Sequence, residues 1–235
     1  MYKQFAKYYD SIYKWKDYKA ESERIRALIR QYKTSHGKEM LDVACGTGNH
    51  IQYLKKYFNV IGLDLDRDML RIARKKFPDI KFIRGDMRTF KLNKQFDVIV
   101  CLFSSIAHVK TYAGLEKAFG NFFLHLKPGG VMIAEPFENP DSFIVNQSHA
   151  AYVNKPELKL ARICVTKKRG NIAVFDFHFL VADKNRISYF IDRQDLGLFE
   201  TKKVMNIMKH VGFSAKVLKG GIMKHRETYI GVRNY

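Results

Sequence analysis

Two apolar rhythms divide this chain. Ile25, Leu28, Ile29 and Tyr32 recur at helical spacing and predict an amphipathic helix over 21–32. Strands and helices then alternate. Strands are predicted over 39–44, 59–64 and 80–84, with helices over 49–57 and 68–76 between them. Residues 96–102 form a nearly continuous apolar run, as a central parallel strand buried on both faces requires. A helix over 115–126 stops at Lys127-Pro128-Gly129-Gly130, and a fifth strand follows over 131–135.

The rhythm changes after Pro140. Residues 161–168, 171–182 and 186–192 read as three strands joined by turns at Arg169-Gly170-Asn171 and Asp183-Lys184-Asn185, an antiparallel ribbon. A helix over 201–210 and strands over 215–218 and 228–232 resume the first order. The sum is an α/β fold with a doubly wound, mostly parallel seven-stranded sheet and an antiparallel β-ribbon insertion. One domain, 1–235, divides into an N-terminal helical segment (1–35), a core (36–140) and the insertion (155–195), a lid or a dimer surface.

Composition narrows this little. Hydrophobic residues at 46% against 28% charged fit an ordinary globular chain, and no apolar run nears the ~20 residues that span a bilayer. The first residues lack an uncharged apolar block, so no secretory signal is expected. Cys45, Cys101 and Cys164 lie far apart without metal-ligand spacing. A reduced, cytoplasmic, metal-free protein is the simplest expectation. The net charge of +19 favours anionic partners. The basic residues are scattered, however, and a solvated surface accounts for them as well as an RNA or a phosphorylated substrate does.

Candidate chemistry lies at the strand ends, which converge on one crevice in such a sheet. The first runs Leu41-Asp42-Val43-Ala44-Cys45-Gly46-Thr47-Gly48-Asn49. Small residues there let a backbone approach a ligand closely, and Asp42 suits a cation better than a phosphate. A dinucleotide-binding loop would want glycine where Ile51 sits. The second strand ends at Asp64, an acceptor for two ribose hydroxyls. The third ends Gly85-Asp86-Met87, a carboxylate for an exocyclic amine beside an apolar wall. The fourth ends Leu102-Phe103-Ser104-Ser105. Four such ends in succession point to S-adenosylmethionine (AdoMet).

The first of these segments resembles the nucleotide-binding loop of class I AdoMet-dependent methyltransferases. Taken with Gly85-Asp-Met-Arg88, Phe103-Ser-Ser-Ile-Ala-His108, Leu126-Lys-Pro-Gly-Gly130, Glu135-Pro136 and the Phe177–Ala182 strand, the chain resembles the dTDP-3-amino-deoxyhexose N,N-dimethyltransferases. The resemblance covers nearly the whole chain. It implies a Rossmann-like methyltransferase fold, AdoMet as methyl donor, S-adenosylhomocysteine as product, and an amine on a nucleotide-linked sugar as acceptor. Tyr9 and Lys16 would hold the amino-acid end of AdoMet, Tyr2 and His108 would flank the acceptor amine, and Ser105, His178 and Arg226 would face the sugar or its diphosphate. The cofactor set comprises Tyr9, Lys16, Asp42, Ala44, Cys45, Gly46, Gly48, Asp64, Leu65, Met69, Gly85, Asp86, Met87, Leu102 and Phe103. A homodimer is what relatives suggest, and no membrane partner is expected. The chain departs from the family pattern at Tyr13–Tyr18, Phe137-Glu138 and Met223–Arg226, all substrate-facing. An RNA or protein methyltransferase is the runner-up. A non-catalytic AdoMet-binding protein is the reading from another class.

Overall fold

The computed structural model describes residues 5–223 and 225–235. Two helices lead in, α1 (Ala6–Ile12) and α2 (Tyr18–Tyr32). Asp17 caps α2 by accepting the Ala20 amide at 2.9 Å, so this helix starts three residues before the predicted position 21. The core then runs β1 (Glu39–Val43), α3 (Ile51–Leu54), β2 (Asn59–Asp64), α4 (Arg67–Lys76), β3 (Lys81–Arg84), β4 (Phe96–Cys101), a 3-10 turn at Ser105–Val109, α5 (Tyr112–His125) and β5 (Leu126–Ala134). The second sheet holds β6 (Ser148–Lys155), β7 (Leu158–Val165), β8 (Lys167–Arg169), β9 (Ile172–Asp183) and β10 (Ile187–Gly197). The chain closes with α6 (Thr201–His210), β11 (Phe213–Lys219) and β12 (Glu227–Arg233).

The main sheet has the order β11-β12-β5-β4-β1-β2-β3. Only β12 runs against the rest, since it pairs antiparallel with both β5 and β11. The chain leaves β1 towards β2 and β3, then returns to pair β4 on the other side of β1. A crevice opens at such a reversal, beyond the carboxyl ends of the strands. Every residue of β4 is buried, because apolar clusters cover both faces of the sheet.

Three expectations shift. The Lys127–Gly130 stop ends α5, yet the chain passes straight into β5. Phe96 pairs with Leu126 and Val98 with Val131, so the extra residues of β5 bulge. The Gly129 carbonyl there accepts the amides of Thr34 and Ser35. The predicted 49–57 helix shortens to the four residues of α3. The three-stranded ribbon proves to be a five-stranded antiparallel sheet spanning Ser148 to Gly197, wider than 155–195. The strand missed by the pattern, β6, exposes most of its residues and so carries little apolar alternation. Among the described residues no helix is long and apolar enough to cross a membrane.

Candidate active site

One cavity of about 1310 Å³ lies where the strand tips, α1 and the antiparallel sheet meet. Its floor begins at the β1 tip. Ala44 (φ 58°) and Gly46 (φ 55°) both take the left-handed conformation, and both line the cavity. A side chain on Gly46 would meet nothing within 4 Å, so its backbone conformation rather than space calls for glycine. Gly48 and Cys45 shape the turn from behind. Gly48 lies against the Phe77 ring, and the Cys45 sulfur points towards Gly62.

Asp64 stands on the wall at the end of β2. Its Oδ2 accepts the Gly46 amide at 2.8 Å and its Oδ1 accepts the Asp66 amide at 2.8 Å, which couples β2 to the β1 loop. Asp42 lies behind this wall, 3% exposed. Burial, helped by the negative charge of Asp64, pushes the Asp42 pKa up to about 8, and burial also raises that of Asp64 despite its amide donors. Two acids held away from water favour a cationic guest. Leu65 and Met69 continue this wall, with Asp66 capping α4 through the Asp68 and Met69 amides. Gly85, Asp86 and Met87 follow at the β3 tip. Asp86 is already engaged, since Arg88 grips it with Nε at 3.0 Å and Nη2 at 2.5 Å, and that hydrogen bonding holds its carboxyl below the usual range.

The β4 tip is strained. Leu102 turns into the core, whereas Phe103 (φ 51°) and Ser104 (φ 62°) are consecutive non-glycine residues in the left-handed region. Each costs about 1–2 kcal/mol. The 3-10 turn that follows brings Ser105 and His108 onto the wall. Burial, and secondarily the charge of Lys110, depress the His108 pKa to about 4, so its imidazole is neutral at physiological pH.

α1 roofs the cavity with Phe5, Tyr9 and, just beyond the helix, Tyr13. Asp10 latches it down. Its Oδ1 accepts from Thr47 Oγ1 at 2.6 Å and Asn49 Nδ2 at 3.0 Å, and its Oδ2 from Lys76 Nζ at 3.0 Å. Lys16 does not reach the wall as the resemblance implies. It is buried in an ion pair with Glu21, over the Phe103 ring at 4.3 Å, and Glu21 also bonds His50 Nε2 at 2.8 Å. Burial works to raise the Glu21 pKa, but the hydrogen bonds from His50 and Lys16 win and hold it low.

The far half of the cavity is aromatic and basic. Phe175 and Phe177 of β9 stack at 5.4 Å, and Phe137 meets Phe175 edge-on at 5.8 Å. A guanidinium sits at each end of this shelf, Arg162 over Phe177 at 4.7 Å and Arg226 over Phe137 at 5.4 Å. Arg162 also donates to the Tyr13 hydroxyl at 2.9 Å, and Arg226 to Ser104 Oγ. His178 is not part of this wall. It alternates with Phe177 and Phe179, so it faces outward, exposed, with Nδ1 2.6 Å from the Tyr189 hydroxyl. Tyr2 lies outside the described residues.

Sequence reasoning missed Asp10, Glu21, His50, Arg162 and the phenylalanine shelf. Period-two alternation across Phe175, Phe177 and Phe179 could have set the shelf apart from His178. The Asp10 latch and the Glu21–His50 bond join residues remote in sequence, and no local pattern marks them.

A model of the methyltransferase domain matches residues 40–130, the segment that carries the acid-tipped strands. With this fold and crevice, the protein is a class I AdoMet-dependent methyltransferase. It is 36% identical, over 97% of its own length and 97% of the relative's, to the dTDP-3-amino-3,4,6-trideoxy-α-D-glucopyranose N,N-dimethyltransferase of Streptomyces venezuelae. The crystal structure of Streptomyces venezuelae DesVI superposes with a TM-score of 0.91 at 35% identity, covering 98% of both chains. The SAM-bound amino pentose methyltransferase CalS10 of Micromonospora echinaspora gives 0.85 at 28% identity, covering 97% of this chain and 96% of that one. The chain belongs to the family of dTDP-amino-sugar N,N-dimethyltransferases.

Proposed function

We propose that this enzyme transfers methyl groups from AdoMet to the amine of a nucleotide-linked amino sugar. One observation carries the reading: a single cavity joins acid-bearing strand tips to an aromatic shelf with an arginine at each end. The residues present fit AdoMet. Asp64 offers carboxylate oxygens to ribose hydroxyls, the space over Gly46 admits close approach, and Leu65, Met69 and Met87 supply apolar walls. The buried acids behind them complement a sulfonium, which when bound supplies the methyl group for an in-line displacement.

The protein's part is mainly alignment and exclusion of water. Tyr9 and Tyr13 close the roof. The acceptor amine must enter uncharged, because an ammonium has no lone pair. His108, itself neutral, can accept a hydrogen bond from it without adding positive charge beside a cationic donor. Arg162 and Arg226 suit an acceptor diphosphate, and the shelf between them suits a planar base.

The test is turnover of AdoMet with dTDP-linked amino sugars, their free amino sugars, and RNA, followed by mass spectrometry. Methylated nucleotide sugar is expected, with the free sugars poor. Arg162→Met should raise KM for the nucleotide sugar about tenfold or more while AdoMet affinity holds. Equal use of free and nucleotide-linked sugar, or methyl groups found only in RNA, would overturn the proposal.

A further inference from the structure

The β4 tip raises a question that the acceptor and cofactor contacts leave open: what holds two successive non-glycine residues in the left-handed region. The Phe103 amide donates to Glu135 Oε2 at 2.8 Å, and Ser104 Oγ donates to the Pro136 carbonyl at 3.1 Å. Both partners directly follow β5. Glu135 is itself fixed, its own amide donating to the Cys101 carbonyl at 3.0 Å. The side chain of Glu135 is fully buried, and its Oε1 has no hydrogen-bond partner among the described residues. A carboxyl group withdrawn from water and half-satisfied is costly to keep, so something in the fold must use it.

We propose that Glu135 is a positioning residue for methyl transfer: its side chain fixes the left-handed Phe103–Ser104 step, which carries the turn bearing Ser105 and His108 into the cavity. Phe103 cannot relax by itself. Its ring meets Tyr13 edge-on at 5.0 Å and lies beneath the Lys16 ammonium at 4.3 Å, so the ring is held from the roof while the backbone is held from β5. Without an acceptor for the Phe103 amide, the step loses the bond that offsets its strain, and the turn behind it shifts. Charge is not what the arrangement requires. The bond needs one acceptor oxygen at the right reach, and burial raises the Glu135 pKa, which favours an uncharged carboxyl.

The activity arm of the test rests on the acceptor reading given above; a second arm does not. Glu135→Gln keeps an acceptor oxygen in place. Glu135→Met keeps the volume and removes the acceptor, and Glu135→Asp keeps the carboxyl but withdraws it by one methylene. The Gln variant should turn over within about threefold of the parent. The Met and Asp variants should lose about thirtyfold or more in kcat, as misplaced reacting groups do, with AdoMet affinity by calorimetry within about threefold. In protein free of AdoMet and acceptor, ring signals of isotope-labelled His108 should move in Met and Asp but not in Gln, with those of His36 unchanged in all three. If Met fails to fold, the comparison of Asp with Gln decides. Equal losses in Gln and Met, parental activity in Asp or Met, or an unmoved His108 signal in both would overturn the proposal. Absence of turnover in the parent protein itself, with the His108 shifts as expected, would count against the acceptor instead.

Discussion

Replacing Asp42 by asparagine tests whether the strand tip stores an unfavourable carboxyl. In the unfolded chain Asp42 titrates near its ordinary value of 3.8, and in the folded chain near about 8. Between those values the folded state holds more protons. Rising pH therefore favours unfolding, by about 1.4 kcal/mol per pH unit for one such group. The stabilising effect of the raised pKa is complete below pH 3.8 and is spent as pH climbs through 8. Asparagine mimics the protonated acid and does not titrate. The stability of Asp42→Asn relative to the parent should thus grow by about 2–3 kcal/mol between pH 5 and pH 7, or about 5–10 °C in Tm for a chain of this size. Any constant offset from burying the amide cancels, because the test is a slope. Asp64 remains buried in both proteins, so its own titration largely drops out as well. The assay is thermal or urea unfolding of AdoMet-free protein at pH 5, 6 and 7. A gap that stays flat across this range refutes the reasoning.

Two further perturbations separate roof from chemistry. Asp10→Ala removes the three hydrogen bonds that latch α1 to the β1 loop and α4. Since that network is partly exposed, about 1 kcal/mol, roughly a fivefold loss of AdoMet affinity with faster release, is expected from calorimetry and stopped flow; unaltered affinity would mean α1 does not close the site. His108→Ala should lower kcat about a hundredfold and leave AdoMet affinity within about twofold, and equal losses in both would remove the proposed role. Because His108 stays neutral down to about pH 4, parent and variant should share the same shape of pH–rate profile between pH 6 and 8; an inflection there lost with the imidazole would refute its neutrality.

The doubly wound sheet was legible because its signal is local and repeated. A buried run such as Phe96–Cys101 needs no knowledge of its neighbours to read as a central strand, and Asp42, Asp64 and Asp86 mark three strand ends in turn. What could not be read were relations between distant residues. Lys16 was expected at the cavity, but its charge is taken up by Glu21, which is itself held by His50 from 29 residues away. His178 was expected at the acceptor, but strand alternation sends it outward once Phe177 faces in. The second sheet exceeded the expected ribbon because β6 leaves most of its residues exposed and gains its place by pairing with β7, not from its own pattern.

Several features that oppose stability gather at one end of the sheet. Asp42 and Asp64 are acids kept from water, Ala44, Phe103 and Ser104 are non-glycine residues in the left-handed region, and Glu135 has an unpartnered buried oxygen. All sit at or directly beyond the carboxyl ends of β1, β2, β4 and β5, around one cavity. At the opposite end of the sheet the buried carboxylate of Asp97 is satisfied, accepting the Gly37 amide at 3.0 Å, the Glu39 amide at 2.9 Å and Lys127 at 2.8 Å. A fold selected for stability alone would not gather such groups around one cavity. Local violations of this kind persist where function requires them and the surrounding core offsets them. It follows that substitutions relieving them should stabilise the free protein while weakening what it binds. The asparagine variant at position 42 should therefore show both effects together, a flatter pH dependence of stability and, above about pH 8 where the parent carboxyl is charged, a lower affinity for a cationic methyl donor.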